Sequence, residues 1–478
     1  MVKEENFDLL IIGWGAASFS AAIKASELSG GQMSIGMVGY GKIGGTCVNV
    51  GCVPSKYLLE ASHSVYYPQH PRIEGIVPSQ VNYDFSRIMD GLRSYVREAR
   101  EKKYVNVIEA YDNVTAIEGK ARFLDGRTVE IYDASGSVKA RASAPNILIA
   151  TGSRPSVPSI DGLRESGFLT SDTVWDLDRL PASFLVIGGG AIGLEIGQAL
   201  AHLGSEVTVV EAMERLLPQT EPEIGDAVLK RLEEEGMRFY LKARVMSVSK
   251  KGERKAVKVL THRGTEEIEV DEVLVATGRV PNTDALNLEA AGVKTDRAGY
   301  IMTGTDMRTS REGIYAAGDC VSKKMYLETL AAREGVVAVS NMFGDDMRID
   351  YSSTPWAVFT YPQVAGVGVT EEEYSKMAGA CSCRVLPLSQ LTKATIMGEG
   401  GGMIKIVIDP NSGRIVGVHA LAPNATDIIT EGAYAVKYGY TTDDIISTAH
   451  IFPSISEGIK LAAQAFARDI SRMSCCVE

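Results

Sequence analysis

The chain has 478 residues, 45% hydrophobic and 23% charged, a globular balance that excludes disorder, coiled coil and collagen. It carries 60 acidic and 49 basic residues, and the net charge of −11 repels phosphate backbones and argues against nucleic-acid binding. No apolar run approaches the ~20 residues of a membrane helix.

At roughly 150 residues per domain the length predicts about three domains. The start, Met1-Val-Lys-Glu-Glu-Asn, lacks the make-up of a signal peptide, so the expected compartment is the cytoplasm. The run 7–12 (FDLLII) predicts a buried parallel strand, 16–28 a helix and 34–38 a second strand. The same order returns with a strand at 184–187, a glycine turn at 188–193, a helix at 194–203 and a strand at 206–210. The segments 147–152 (ILIATG) and 273–278 (VLVATG) are near-repeats, one after each unit. An internal duplication of a dinucleotide-binding fold accounts for the pattern. Beyond 350 the texture changes to strands at 364–369, 403–408 and 415–420 and helices at 427–437 and 456–467, an α+β module without a glycine fingerprint.

Gly188-Gly-Gly190-Ala-Ile-Gly193 fits G-x-G-x-x-G between a strand and a helix. Gly188 allows the tight turn, Gly190 the approach of a pyrophosphate and Gly193 close helix packing. Glu211, about 20 residues on, suits a ribose 2′-hydroxyl and repels a 2′-phosphate, which favours NADH. Arg215 lies close enough to keep NADPH possible. Gly13-Trp-Gly15-Ala-Ala-Ser18 is the weaker copy, with Gly39 where the acidic residue should end the second strand.

Cys47 and Cys52, in Gly44-Gly-Thr-Cys-Val-Asn-Val-Gly-Cys-Val-Pro-Ser-Lys56, are separated by four residues. A distorted first helical turn can bring the two sulfurs together, and a helix N-terminus lowers a thiol pKa. A redox pair and a zinc site both use such cysteines, but no second ligand pair stands at zinc spacing.

The Gly44–Lys56 motif, the two nucleotide folds and Gly313-Ile-Tyr-Ala-Ala-Gly-Asp319 together resemble the pyridine nucleotide-disulfide oxidoreductases over essentially the whole chain. The resemblance implies an α/β fold with two Rossmann-like dinucleotide-binding domains, one for FAD and one for NAD(P), plus a C-terminal α+β dimerisation domain, as in glutathione reductase. It implies FAD binding by 1–155 and 285–350, NAD(P)H binding by 156–284, and a homodimer interface in 351–478 that shares the active site between subunits. Gly13, Gly15, Ser18, Gly41, Thr46, Lys56, Ala121, Asp319 and Leu327 would hold FAD. Gly188, Gly190, Gly193 and Glu211 would hold the nicotinamide nucleotide, and Glu195 would pair with Lys56. Cys47 and Cys52 become the redox-active pair, with Cys52 facing the flavin.

Thiol-substrate members of the family carry His-Pro-x-x-x-Glu near the C-terminus, where the His moves the substrate's proton and the Glu orients it. Here the stretch reads His450-Ile-Phe452-Pro453-Ser-Ile-Ser-Glu457, and a phenyl ring moves no proton. A vicinal Cys475-Cys476 pair closes the chain, a soft-metal ligand set. The tail resembles that of the mercuric-reductase branch. This implies Hg(II), delivered with small thiols, as the substrate, with Cys47, Cys52, Cys475 and Cys476 as its ligands. The chain begins at the FAD fold, without the N-terminal metal-binding domain common in that branch. A dihydrolipoamide dehydrogenase-like or other disulfide oxidoreductase is the alternative. That branch's tyrosine near the metal has no clear counterpart, and Tyr326 and Tyr361 are the candidates. Cys381 and Cys383 are expected to be ordinary thiols, and Cys320 to be buried near FAD.

Overall fold

The computed structural model describes residues 3–323 and 325–472. These form two compact units. The first takes the residues up to Ser55, Asp90–Ser156 and Gly278–Asp350; the second takes Lys56–Met89, Val157–Thr277 and the residues from Tyr351 onward.

The first unit is built on a five-stranded parallel sheet in the order Ile314–Ala316, Asn146–Ile149, Leu9–Ile12, Ile35–Gly39, Val114–Glu118. The apolar run Leu9–Ile12 lies at its centre and is wholly buried, as a strand covered on both faces must be. Helix Ala16–Leu28 follows it and packs on helix Glu328–Met342. A Cβ on Gly335 would come within 2.2 Å of Ala17 O, so only glycine lets these helices approach so closely. A four-stranded sheet, Lys3–Asn6, Val138–Ser143, Thr128–Tyr132 and Lys120–Phe123, shares its core, with Phe123, Val129 and Ile131 fully buried.

The second unit repeats the parallel sheet as Leu169–Thr170, Glu272–Val275, Ser183–Ile187, Glu206–Val210, Arg238–Tyr240. The duplication extends to single hydrogen bonds. In the first copy Gly13 N–H donates to Val38 O and Ala150 N–H to Ile12 O; in the second Gly188 N–H donates to Val210 O and Ala276 N–H to Ile187 O. Both glycines have positive φ, 124° and 112°, and a Cβ on either would collide with the carbonyl of Ala150 or Ala276. The two Ala-Thr-Gly repeats are therefore what each glycine turn closes against.

The second unit also holds an antiparallel meander, Arg244–Lys251, Arg254–Thr261 and Gly264–Val270. Its C-terminal part is a five-stranded antiparallel sheet ordered Trp356–Val358, Gln363–Gly368, Ile415–Ala422, Met403–Ile408, Ser382–Pro387, covered by helices Ala425–Tyr438 and Glu457–Gln464. Lys405 lies inside this unit, 1% exposed, and donates to Glu221 (2.9 Å), Glu223 (2.6 Å) and Glu371 (2.7 Å). Three carboxylates offset the cost of burying that ammonium and hold its pKa above the ordinary lysine value, although burial alone opposes this. No helix among the described residues is long and apolar enough to cross a membrane.

Candidate active site

The Gly44–Lys56 motif folds as two helices. Gly45–Val50 makes one short turn carrying Cys47, the chain breaks at Gly51, and Cys52 opens the helix Cys52–Gln69. The break brings the thiols together: Cys47 Sγ, Cys52 Sγ and a carboxylate oxygen of Glu328 all lie within 4.8 Å of one another. No disulfide joins them in this structure. Cys47 Sγ donates to Glu328 Oε2 at 2.6 Å, and Tyr104 Oη donates to Glu328 Oε1 at 2.9 Å.

The sequence predicts a lowered thiol pKa at a helix N-terminus, and the surroundings of Cys47 do the opposite. Its hydrogen bond with Cys52, then burial, then the charge of Cys52, and last the hydrogen bond and charge of Glu328, all push its pKa up. Two thiols and a carboxylate at such short range cannot all be negative without a cation, which is the physical reason for the rise. A cavity of about 640 Å³ in the first unit has Val48, Tyr104, Glu328 and Thr329 in its wall.

The first glycine turn is a candidate cradle for an ADP moiety. Gly13, Gly15 and Ser18 stand between strand Leu9–Ile12 and helix Ala16–Leu28. Ser18 Oγ, Trp14 Nε1 and Thr151 Oγ1 are buried with no hydrogen-bond partner, which is costly unless a ligand supplies one. Asp319, in the turn Gly318–Cys320, accepts from Ser153 Oγ at 2.7 Å and lies 3.8 Å from Arg279 Nε. Burial raises its pKa, and those two neighbours pull the other way. Donors without acceptors beside a fixed carboxylate suit a pyrophosphate and polyol chain such as that of FAD. Gly41 is exposed, Thr46 sits beside Cys47, and Leu327 caps helix Glu328–Met342. Ala121 points its methyl into the core of the first unit, leaving only its backbone for a ligand.

Gly39 has a physical reason. A Cβ there would lie 2.2 Å from the Trp14 ring, so the indole takes the space an acidic side chain would need. At the equivalent place in the second copy Glu211 is 9% exposed and accepts from Gly189 N–H at 2.6 Å and Met213 N–H at 2.7 Å. It braces the glycine turn through its own backbone. Gly188 and Gly193 are packed against neighbouring atoms, and the Gly190 Cα faces open space. Glu195, 6% exposed on helix Ala191–His202, binds Lys56 Nζ at 2.8 Å.

Residues 7–335 match the family described as pyridine nucleotide-disulphide oxidoreductase, and residues 354–463 match its dimerisation domain. The chain belongs to the pyridine nucleotide-disulphide oxidoreductases. Its relatives include a mercuric reductase of Lysinibacillus sphaericus, 41% identical over 476 residues covering 100% of this chain and 85% of the relative. Another, from Streptomyces lividans, is 36% identical and covers 98% of each chain. Among solved structures, LpdA from Mycobacterium tuberculosis superposes with a TM-score of 0.86 at 26% identity, over 98% of this chain and 100% of that one. As a member of this family the protein is an FAD-dependent NAD(P)H oxidoreductase, and its dimerisation domain makes it a homodimer.

Glu328 and Tyr104 are the site residues that the sequence does not reveal; they stand 281 and 57 positions from Cys47, and no spacing rule reaches them. Neither tyrosine candidate contacts Glu328 among the described residues: Tyr326 pairs with Tyr300 at 2.7 Å, and Tyr361 packs on His63 and Tyr67. His450 has both ring nitrogens engaged, Nδ1 with Thr448 O at 2.9 Å and Nε2 with Glu431 at 2.8 Å. Phe452 is exposed, while Glu457 is buried with Oε2 unpartnered and its pKa raised by burial. Cys320 is fully buried, and its thiol is pushed up to about 12 by burial. Cys383 is also pushed up to about 12, by burial and by Glu371. Cys475 and Cys476 lie outside the described residues.

Proposed function

We propose that the protein reduces Hg(II) to Hg(0) with electrons from NAD(P)H. The observation that carries this reading is similarity to proteins named mercuric reductase along the whole chain, at 34–41% identity, in a sequence that replaces the thiol-substrate histidine by Phe452. The buried, unpartnered oxygen of Glu457 supports it, because the carboxylate that would orient that histidine has nothing to orient. Hg(II) needs thiolates and no proton transfer to a leaving thiol.

In this reading residues 1–155 and 285–350 hold FAD, 156–284 hold NAD(P)H and 351–478 form the interface. The bound FAD supplies the two-electron relay between nicotinamide and thiol pair. Gly13, Gly15, Ser18, Gly41, Thr46, Lys56, Ala121, Asp319 and Leu327 position it. Gly188, Gly190 and Gly193 cradle the nicotinamide nucleotide's pyrophosphate, and Glu211 favours NADH. Cys475 and Cys476 of one subunit capture the ion from small thiols and pass it by ligand exchange to Cys47 and Cys52 of the other. Stepwise exchange between thiolates keeps the ion from being free at any stage. The reaction is placed in the cytoplasm.

The test is Hg(II)-dependent oxidation of NADH and NADPH, in parallel, with excess small thiol and trapping of mercury vapour. Sustained turnover with vapour release, weakened in Cys475→Ala/Cys476→Ala, supports the reading and settles the donor. Absence of metal-dependent turnover overturns it in favour of a disulfide oxidoreductase.

A further inference from the structure

The strand Ser382–Pro387 is an edge of the five-stranded C-terminal sheet, and Cys381 stands just before it. Side chains two apart on a strand share a face, and the contacts of Cys381 and Cys383 agree. Cys381 Sγ lies 3.1 Å from Ser375 Oγ, and the Cys383 thiol reaches the Glu371 carboxylate. Glu371 and Ser375 are four apart on helix Glu371–Ala378, so they stand on one face of it, a turn apart. The two thiols therefore meet the same side of the same helix, both half-buried and not joined by a disulfide. The sheet register says the same. Cys383 stands opposite Val407 and Val385 opposite Lys405, which puts Cys383 on the face of Lys405, whose ammonium also meets Glu371 at 2.7 Å.

We infer that Cys381 and Cys383 form a two-thiolate site for soft metal ions that accept two ligands in line, with Cu(I) as the type. Soft sulfur ligands select such ions over hard ones. Cα atoms two apart on a strand are separated by roughly 6.8 Å, and Cys381, at the open end of the strand, can lean toward Cys383 by side-chain rotation. The surrounding charge suits a cation. Lys405 lies among Glu221, Glu223 and Glu371, three carboxylates to one ammonium, and Lys376 is taken by Glu372 at 2.6 Å. Arg384, next in the chain to Cys383, turns its guanidinium to the carbonyls of Ala465 and Cys383. Ser375 gives outer support to Cys381, and Glu371 gives it to Cys383. On transfer from a complex with two small thiols, two copper–sulfur bonds form and two break. Each protein thiol gives its proton to the thiolate it displaces, and the copper stays Cu(I). The mercury reading uses neither cysteine, so the two stand or fall separately.

The test uses reduced holoenzyme in a Cys47→Ser/Cys52→Ser/Cys475→Ser/Cys476→Ser background, freed of reductant without air. The coloured Cu(I)–bicinchoninate complex is titrated with this protein, and the loss of its colour reports copper taken up. We expect one copper per chain, and no uptake when Cys381→Ser/Cys383→Ser is added. Each single serine variant should bind at least about tenfold more weakly, since each thiolate raises the effective concentration of the other. No uptake by the background protein, copper kept without both cysteines, or a single variant within tenfold of its parent overturns the site. If the background protein loses its flavin, wild-type holoenzyme is alkylated with iodoacetamide, with and without excess Cu(I), and its peptides are weighed. Cys381 and Cys383 protected together supports the site. Protection of one alone, or of neither, overturns it.

Discussion

Lys56 Nζ stands 2.8 Å from Glu195 Oε2, and the other oxygen of Glu195 accepts the Phe359 N–H at 2.9 Å. The ammonium also lies 4.1 Å from the centre of the Phe359 ring. Glu195 is thus held from both sides, and it in turn fixes where the lysine charge points, on the helix that Cys52 opens. Lys56→Met leaves a nearly buried carboxylate with one backbone donor. The expected cost is about 1–3 kcal/mol, less than for a fully buried pair because the lysine is partly exposed. The proposed role of Lys56 at the flavin adds a second expectation, a fall of roughly tenfold or more in flavin reduction by NAD(P)H in stopped flow. Unchanged reduction with lowered stability would assign the pair to structure alone.

Phe452→His restores the residue type that thiol-substrate relatives use, four positions before the turn that leads into Glu457 and its helix. Glu457, the carboxylate expected to orient such an imidazole, has a buried oxygen without a partner. Oxidation of a dithiol such as dihydrolipoamide is expected to rise roughly tenfold or more. Mercury turnover is not expected to rise. Equal gains with both substrates would remove the argument from Phe452.

His63 gives a pH dependence. Burial, then the neighbouring His202, push its pKa down to about 4 from an ordinary 6.5, and Glu235 pulls weakly the other way. The unfolded chain takes up this proton near pH 6.5 and the folded chain only near pH 4. The stability from neutral His63 is therefore present above pH 6.5 and lost as pH falls toward 4, at about 1.4 kcal/mol per pH unit. His63→Gln is expected to flatten this part of the acid limb. Urea unfolding midpoints of both proteins at several pH values across that window check the difference in slope.

Helix Ala425–Tyr438 buries Ile428, Ile429 and Ala435 against the C-terminal sheet and leaves Tyr434 and Tyr438 exposed by 55% and 61%. Their rings stack with centroids 6.3 Å apart, and Tyr440 continues the row at 6.1 Å. Bare aromatic rows of this kind on a dimerisation domain suit contact with a second copy. Tyr434→Glu/Tyr438→Glu is expected to shift the protein from dimer to monomer in sedimentation velocity without loss of bound flavin. A dimer of unchanged affinity would place the interface elsewhere on the domain.

Much of the scaffold is legible in the sequence. Helix 16–28 and strands 206–210 and 403–408 have the bounds that their apolar runs predict. The two strand runs stop before Glu211 and Asp409, since a buried strand has little room for an unpaired charge. The second nucleotide helix begins at Ala191 rather than 194, because Gly193 is tolerated inside it where packing requires it. The meander between 244 and 270 is not legible as strands from apolar runs, since its exposed face interrupts them with Lys, Arg and Glu. At the site, Cys47 and Cys52 announce themselves by spacing. Glu328 and Tyr104 do not, because only the tertiary fold brings the helix that starts at Glu328 to the motif. Gly39 reads as a missing carboxylate until Trp14 is seen to occupy its place.

That indole has a practical consequence. The chain has 3 tryptophans, and Trp14 alone lies inside a glycine turn of a nucleotide fold, its Nε1 buried without a partner. Indole emission depends on the polarity and hydrogen bonding around the ring, and an isoalloxazine absorbs where indole emits. Trp14 is therefore a native optical gauge of its own cradle. With Trp175→Phe and Trp356→Phe in place, a single fluorescence trace reports how many subunits carry flavin, with no label attached.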